Sequence, residues 1–299
     1  MAGRRRKKSG GRSYAWRYRG RIVACVFVEV IIICALVIMI GWNKGVKEWF
    51  EQFEQPVLKE VDISGINSPN AILMQARGGK ILGEINGEAQ IYPASMTKIM
   101  TVILGIENFD DLDEKITLTD EMFSGLYEQD ATQAGFQPGE EVRVIDLLYG
   151  AMLPSGAECC IALADTISGS EADFAELMNK KARKLGMENT HFCDSTGLHN
   201  PDHYSTVKDI AVLMKYCIKN DTFREIVETS RHSTGVTNIH PDGITYYSTM
   251  FKNLSDPTVT GGKILGGKTG YTSEAGHCLV SFAEIEGREY IFVSAGASG

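Results

Sequence analysis

The chain changes its hydrophobic period twice, and this limits the folds open to it. Ala71-Ile72-Leu73-Met74-Gln75 and Ile81-Leu82-Gly83-Glu84-Ile85 read as two strands joined by the turn Arg77-Gly78-Gly79-Lys80. Cys278 to Ile285 and Glu289 to Ser294 form a second hairpin around Glu286-Gly287-Arg288. Between the hairpins the pattern is mainly helical. One helix runs from Met96 to Glu107. Gln137-Pro138-Gly139-Glu140 turns into the short run Val142-Arg143-Val144, and Asp146 is expected to cap a helix carrying Leu147, Leu148 and Met152. A further helix starts at the break Pro154-Ser155-Gly156. Ser170 caps a third, Ala172 to Leu185, which Gly186 stops. Ser205 or Thr206 caps a fourth, Val207 to Ile218. Tyr246 to Met250 reads as extended, and a glycine-rich stretch leads to Lys268, which is expected to open a strand. Strands, then helices, then strands predict an α+β fold. Its first and last segments meet in one antiparallel sheet flanked by helices, with a helical lobe beside it and a cleft between.

The N-terminal part has a different texture. Ile22 to Ile40 is apolar except for Glu29, a length that suits one bilayer crossing. Residues 1–21 carry nine Arg or Lys and no acid, which places that end in the cytoplasm. No small-residue cleavage site follows, since the chain reads Gly41-Trp42-Asn43-Lys44, so the segment is expected to be an uncleaved anchor. The expected organisation is a basic cytoplasmic tail over 1–21, a transmembrane anchor over 22–42, a juxtamembrane linker over 43–60 and an outer domain over 61–299. From Trp42 onward there are 21 basic and 37 acidic residues. A domain that acidic repels a phosphate backbone, which excludes nucleic acid as its partner. Cys159, Cys160, Cys193, Cys217 and Cys278 are odd in number and include an adjacent pair, so they read as small buried residues rather than a disulfide framework. No C-x-x-C spacing is present. Pro201 lies between His199 and His203 and argues against a helical metal face; no metal or organic cofactor is expected.

Three short patterns carry chemistry. In Pro93-Ala94-Ser95-Met96-Thr97-Lys98 a hydroxyl and an amine stand three residues apart at a helix start, and so share a face. Serine is a poor nucleophile until a base takes its proton, and lysine is a base only where burial or a second cation favours its neutral form. A second S-x-x-K, Ser205-Thr206-Val207-Lys208, reads as a helix cap. Ser155 opens its own helix in the middle of the chain. Lys268-Thr269-Gly270-Tyr271 pairs a cation with a hydroxyl, a combination that holds a carboxylate, and its glycines let a ligand approach the backbone.

The order S-x-x-K, lobe serine, K-T-G is the signature of penicillin-recognising serine enzymes. The stretches Pro93 to Thr101, Gly186-Met187-Glu188-Asn189-Thr190-His191-Phe192, Thr196-Gly197-Leu198 and Tyr204 to Ala211 resemble the D-alanyl-D-alanine carboxypeptidases among the low-molecular-mass penicillin-binding proteins. The resemblance implies the penicillin-binding, β-lactamase-like transpeptidase fold and no cofactor. It implies a stem peptide ending in D-Ala-D-Ala as substrate and β-lactams as covalent inhibitors. It also implies roles. Ser95 attacks the carbonyl between the two D-alanines, Lys98 accepts its proton and Ser155 relays a proton to the leaving amine. Lys268 and Thr269 bind the terminal carboxylate, and Lys268 also keeps Lys98 neutral by repulsion. The backbone N–H groups of Ser95 and Tyr271 form the oxyanion hole, and Gly270 and Tyr271 belong with Lys268 and Thr269 to the substrate-binding strand.

Two departures stand out. The family's second motif is usually Ser-x-Asn, and here it is Ser155-Gly156-Ala157. Family chains also continue past the last hairpin and often add a β-rich domain, so the C-terminal part is expected to be truncated. The alternatives are a class A-like β-lactamase and a non-catalytic wall-peptide or β-lactam binding protein. The first needs an extra glutamate for deacylation, and the nearest look-alike, Glu176-Leu177-Met178-Asn179, has the wrong spacing and sits mid-helix. The second is motivated by Ala157 and the short C-terminus.

Overall fold

The computed structural model describes residues 60–254 and 256–298. The expected tail, anchor and linker (1–21, 22–42 and 43–60) lie outside the described residues, apart from Glu60. Among the described residues no helix is long and apolar enough to cross a membrane.

The two predicted hairpins form. Strand β1 (Asn70–Gln75) pairs antiparallel with β2 (Ile81–Ile85), and β9 (Gly276–Ile285) pairs with β10 (Arg288–Ala297). β10 also pairs along the whole of β1, from Asn70 opposite Ala295 to Gln75 opposite Tyr290. With β7 (Thr258–Val259) and β8 (Gly262–Thr272) the sheet has the order β2-β1-β10-β9-β8-β7. β7 covers β8 only at Gly262 and Lys263, so among the described residues no strand lies along the outer edge of β8 from Ile264 to Thr272.

The helices divide between the sheet and the lobe. Helix α1 (Lys98–Asn108) follows a 3-10 turn (Ala94–Thr97) and is buried on every side from Lys98 to Gly105. It is enclosed by the helices of the lobe and by those that lie on the sheet. The short strands β3 (Lys115–Thr117) and β4 (Glu141–Arg143) pair and lead into α2 (Val144–Met152). The lobe continues with α3 (Ala157–Ser168) and α4 (Glu171–Leu185). α5 (Val207–Cys217) packs on β1 and β10, and α6 (Asp221–Glu228) packs on β8. Strands β5 (Arg231–Ser233) and β6 (Thr245–Tyr247) form a small hairpin before the short helix α7 (Thr249–Lys252).

Several boundaries follow their caps. Ser170 accepts from the Asp173 N–H, and Gly186 closes α4 at φ 79°. Thr206 caps α5, so the second S-x-x-K is a structural helix start, and its Lys208 pairs with Glu88. Three expectations are corrected. Asp146 does not cap α2, because β4 runs straight into that helix; its carboxylate is bound by Arg143 Nε at 2.8 Å and His232 Nε2 at 3.0 Å. Tyr246 to Met250 is not one extended run, because Ser248 accepts from the Phe251 N–H and starts α7. Lys268 lies inside β8 rather than opening it, because the preceding glycines pair with β9. Cys159, Cys160, Cys217 and Cys278 are buried thiols and Cys193 is half-buried; none of the five is in a disulfide.

Candidate active site

Ser95 lies in the 3-10 turn and Lys98 is the first residue of α1, so the three-residue spacing stacks them on one face. Lys98 Nζ is 3.1 Å from Ser95 Oγ and donates at 2.6 Å to the Thr196 carbonyl. The lysine is 3% exposed. Burial lowers its pKa, opposed by the negative potential of neighbours including Asp194 and Glu158. Burial is thus the leading cause that moves Lys98 toward its neutral form.

Lys268 is 1% exposed, and its Nζ donates at 2.9 Å to both Ser155 Oγ and the Thr269 carbonyl. Its pKa is held well below the ordinary lysine value, first by burial and then by the charge on Lys98. Thr269 Oγ1 lies 2.8 Å from Thr249 Oγ1 at the start of α7. All seven predicted positions thus converge. Ser95, Lys98, Ser155, Thr269, Gly270 and Tyr271 line one cleft of about 820 Å³, with Lys268 beneath Ser155.

Backbone geometry explains the convergence. Gly270 is required by close approach, since a Cβ there would stand 2.9 Å from the Ser95 amide nitrogen and 3.1 Å from Ala94 Cβ. Ala94 has φ 47° and Ser155 has φ 74°, left-handed values that cost roughly 1–3 kcal/mol each for residues with a Cβ. Gly197 (φ 83°) packs on Ala94, where a Cβ would fall 1.9 Å from the Ala94 carbonyl oxygen. Glu158 is fully buried, and its Oε1 accepts the N–H groups of Ala134 (2.6 Å) and Gly135 (2.9 Å). It ties α3 to the segment whose Ala131 and Thr132 line the cleft.

The His199–His203 pair separates. His199 lines the cleft and meets Tyr92 edge to face, while buried His203 bonds Thr97 and Asp194. Among the described residues no three His, Cys, Asp or Glu are disposed to hold a metal. Glu176 and Asn179 lie on α4, outside the cleft; Asn179 is committed to the Phe192 backbone, donating to its carbonyl and accepting its N–H at 2.8 Å each. Sequence reasoning missed Thr249 and Asp194, and gave Thr196-Gly197-Leu198 as a family-like stretch without a role. Thr249 follows a capping serine, a signal that was available; the Thr196 carbonyl is a backbone atom and leaves no mark in sequence.

The sequence profile of the D-alanyl-D-alanine carboxypeptidases matches residues 57–299. The chain belongs to that family. It is 35% identical over 231 residues to the D-alanyl-D-alanine carboxypeptidase DacF of Bacillus subtilis, covering 77% of this chain and 57% of DacF. It is 37% identical over 205 residues to the D-alanyl-D-alanine carboxypeptidase of Streptomyces sp. K15, covering 66% of this chain and 69% of that protein. The crystal structure of the Streptomyces K15 DD-transpeptidase superposes with a TM-score of 0.71 at 29% identity, over 80% of this chain and 93% of that one. The family's transpeptidase-like fold is thereby present. The chain spans little more than half the length of DacF.

Proposed function

We propose that the chain is a serine-type D-Ala-D-Ala carboxypeptidase that removes the terminal D-alanine of cell-wall pentapeptides through an acyl-enzyme on Ser95. The observation that carries this reading is the buried Lys98 amine 3.1 Å from Ser95 Oγ, on a cleft that Ser155 and Thr269 also line. In its neutral form Lys98 takes the Ser95 proton as Oγ attacks the penultimate carbonyl. The N–H groups of Ser95 and Tyr271 receive the oxyanion. Ser155 hands a proton to the departing amine and takes in its place the proton that Lys98 received from Ser95, which leaves Lys98 neutral again, while Lys268 holds the Ser155 oxygen by a hydrogen bond. Thr269, backed by Lys268, holds the terminal carboxylate. Water then cleaves the ester: Lys98 takes a proton from the attacking water and delivers it to Ser95 Oγ as the acid departs, which restores the free enzyme. β-Lactams are covalent inhibitors in this scheme because their carbonyl and carboxylate occupy the same two places. No nucleic acid takes part.

Residues 22–42 are the membrane anchor in this proposal, with 1–21 cytoplasmic and the domain from residue 61 outside. The apolar run and the basic cluster support it. A second reading, transfer of the acyl group to an amine in place of water, is favoured by the likeness to the Streptomyces K15 DD-transpeptidase. The test is D-alanine release from a peptide ending in D-Ala-D-Ala, with and without an amine acceptor. Release by the wild type and none by Ser95→Ala supports the proposal, and a new amide product selects transfer. Equal release by the serine variant refutes both. Rapid penicillin turnover indicates a β-lactamase, and binding without adduct or release indicates a recognition protein.

A further inference from the structure

The segment behind Lys98 is organised by one carboxylate. Asp194 Oδ1 accepts from the Thr196 N–H and Thr196 Oγ1, each at 2.8 Å, and from the Gly197 N–H at 2.6 Å. Its Oδ2 lies 3.1 Å from His203 Nδ1, and His203 Nε2 lies 2.9 Å from Thr97 Oγ1. Thr97 precedes Lys98, so this chain of bonds fastens the segment to the turn that carries the nucleophile. The Thr196 carbonyl that results is 2.6 Å from Lys98 Nζ.

A neutral amine has two N–H bonds and one lone pair. With one N–H committed to the Thr196 carbonyl, rotation about the terminal carbon–nitrogen bond is fixed. The lone pair can then be directed at Ser95 Oγ, 3.1 Å away. We propose that Asp194 is a positioning residue for the Ser95–Lys98 pair: its carboxylate sets the Thr196 carbonyl, and that carbonyl aims the amine. The role rests on the carboxypeptidase reading given above. It extends that reading to a residue that does not touch the reacting atoms.

The charge has a second effect. Lys98 is faced by Cys159, Cys160 and Glu158 from α3, by Lys268 from β8, and by Asp194, which is itself faced by His203. The negative charge of Asp194 holds the Lys98 pKa up against burial. Neutralising it moves the acid limb of Ser95 acylation to lower pH. A part that only supported the fold would scale the rate equally at every pH.

The experiment compares wild type, Asp194→Ala and Asp194→Asn. It reads penicillin acylation of Ser95 across pH, together with the titration of Lys98 by NMR on protein carrying 13C at the lysine ε-carbon. Asparagine keeps an oxygen for the Thr196 and Gly197 donors but loses the charge. Asp194→Ala should therefore lower the plateau rate about a hundred-fold, the scale of a misplaced reacting group, and Asp194→Asn less than about ten-fold. In both variants the acid limb and the Lys98 titration should move to lower pH. A wild-type plateau in Asp194→Ala, or an unmoved Lys98 titration in either variant, overturns the proposal. If the alanine variant does not fold, Asp194→Asn decides through the lysine titration alone. If the wild type is not acylated, the carboxypeptidase reading fails, while the Lys98 titration still decides the part played by Asp194.

Discussion

Gly270→Ala is the perturbation whose effect is most directly worked from the structure. The added methyl would stand 2.9 Å from the Ser95 nitrogen, 3.1 Å from Ala94 Cβ and 3.3 Å from the Pro93 carbonyl oxygen. Ordinary contact begins at 3.4 Å, so β8 and the nucleophile turn must separate by about half an ångström. Neither side yields easily, because β8 is paired along β9 and the turn is packed on Gly197. Overpacking of this kind costs roughly 1–3 kcal/mol, a fall of several degrees in Tm for a domain of this size. The separation also parts the two N–H groups assigned to the oxyanion. Losing one such donor costs about 10²–10³ in rate, and partial displacement about ten- to a hundred-fold. The assay is the second-order rate of acylation by labelled penicillin, with Tm measured beside it. Gly65→Ala is the control, since a Cβ there meets nothing within 4 Å. Gly270→Ala acylated at the wild-type rate with an unchanged Tm would show that the strand does not frame the nucleophile as described.

Lys98→Met should reduce acylation by about 10²–10⁴, the usual worth of a positioned base, while the far-UV spectrum stays native. Acylation within ten-fold of wild type removes Lys98 from that part. Lys98 and Lys268 both have folded pKa values below the ordinary 10.5, so the unfolded chain binds more protons between the lowered values and 10.5. Stability should accordingly rise with pH toward that value, and Lys268→Met should flatten the rise in denaturant titrations at stepped pH; an unchanged slope counts against a depressed Lys268. Asp194 carries the opposite sign. Burial alone would raise its carboxyl, but hydrogen bonds led by His203 hold it down to about 2, against an ordinary 3.8. Its contribution, on the order of 2 kcal/mol, is present above the ordinary value and lost as pH falls through about 2. Acid unfolding of Asp194→Ala should lack that component. Gly197→Ala, with φ 83° and a Cβ 1.9 Å from the Ala94 carbonyl, should lose both acylation and several degrees of Tm.

What could be read from the chain alone was local. The two hairpins carry their turn glycines and their alternation, so they were legible. Ser170, Gly186 and Thr206 announce helix ends by side-chain chemistry that acts within four residues. Ser95 and Lys98 were legible for the same reason, since helical spacing alone sets their meeting. Asp146 misled because a carboxylate near a helix start has more than one use, and here Arg143 and His232 take it. Helix α6 was missed although Asn220 caps it with a bond to the Phe223 N–H and Phe223, Ile226 and Val227 form its buried side. The left-handed Ala94 and Ser155 were not legible, because strain of this kind is imposed by distant packing and favours no particular residue type. The leading cause of the Lys98 shift is likewise a property of the assembled fold: sequence reasoning offered burial or a second cation, and only the packed lysine shows how complete the burial is.

The account stands on a single nucleophile made reactive by its buried lysine. The most direct test is to treat the purified protein with a β-lactam, digest it and locate the adduct by peptide mass spectrometry. The account predicts one stoichiometric adduct, on Ser95, that is absent from Lys98→Met. An adduct on Ser205 in the other S-x-x-K, or a Ser95 adduct that forms equally fast without the lysine, would contradict it.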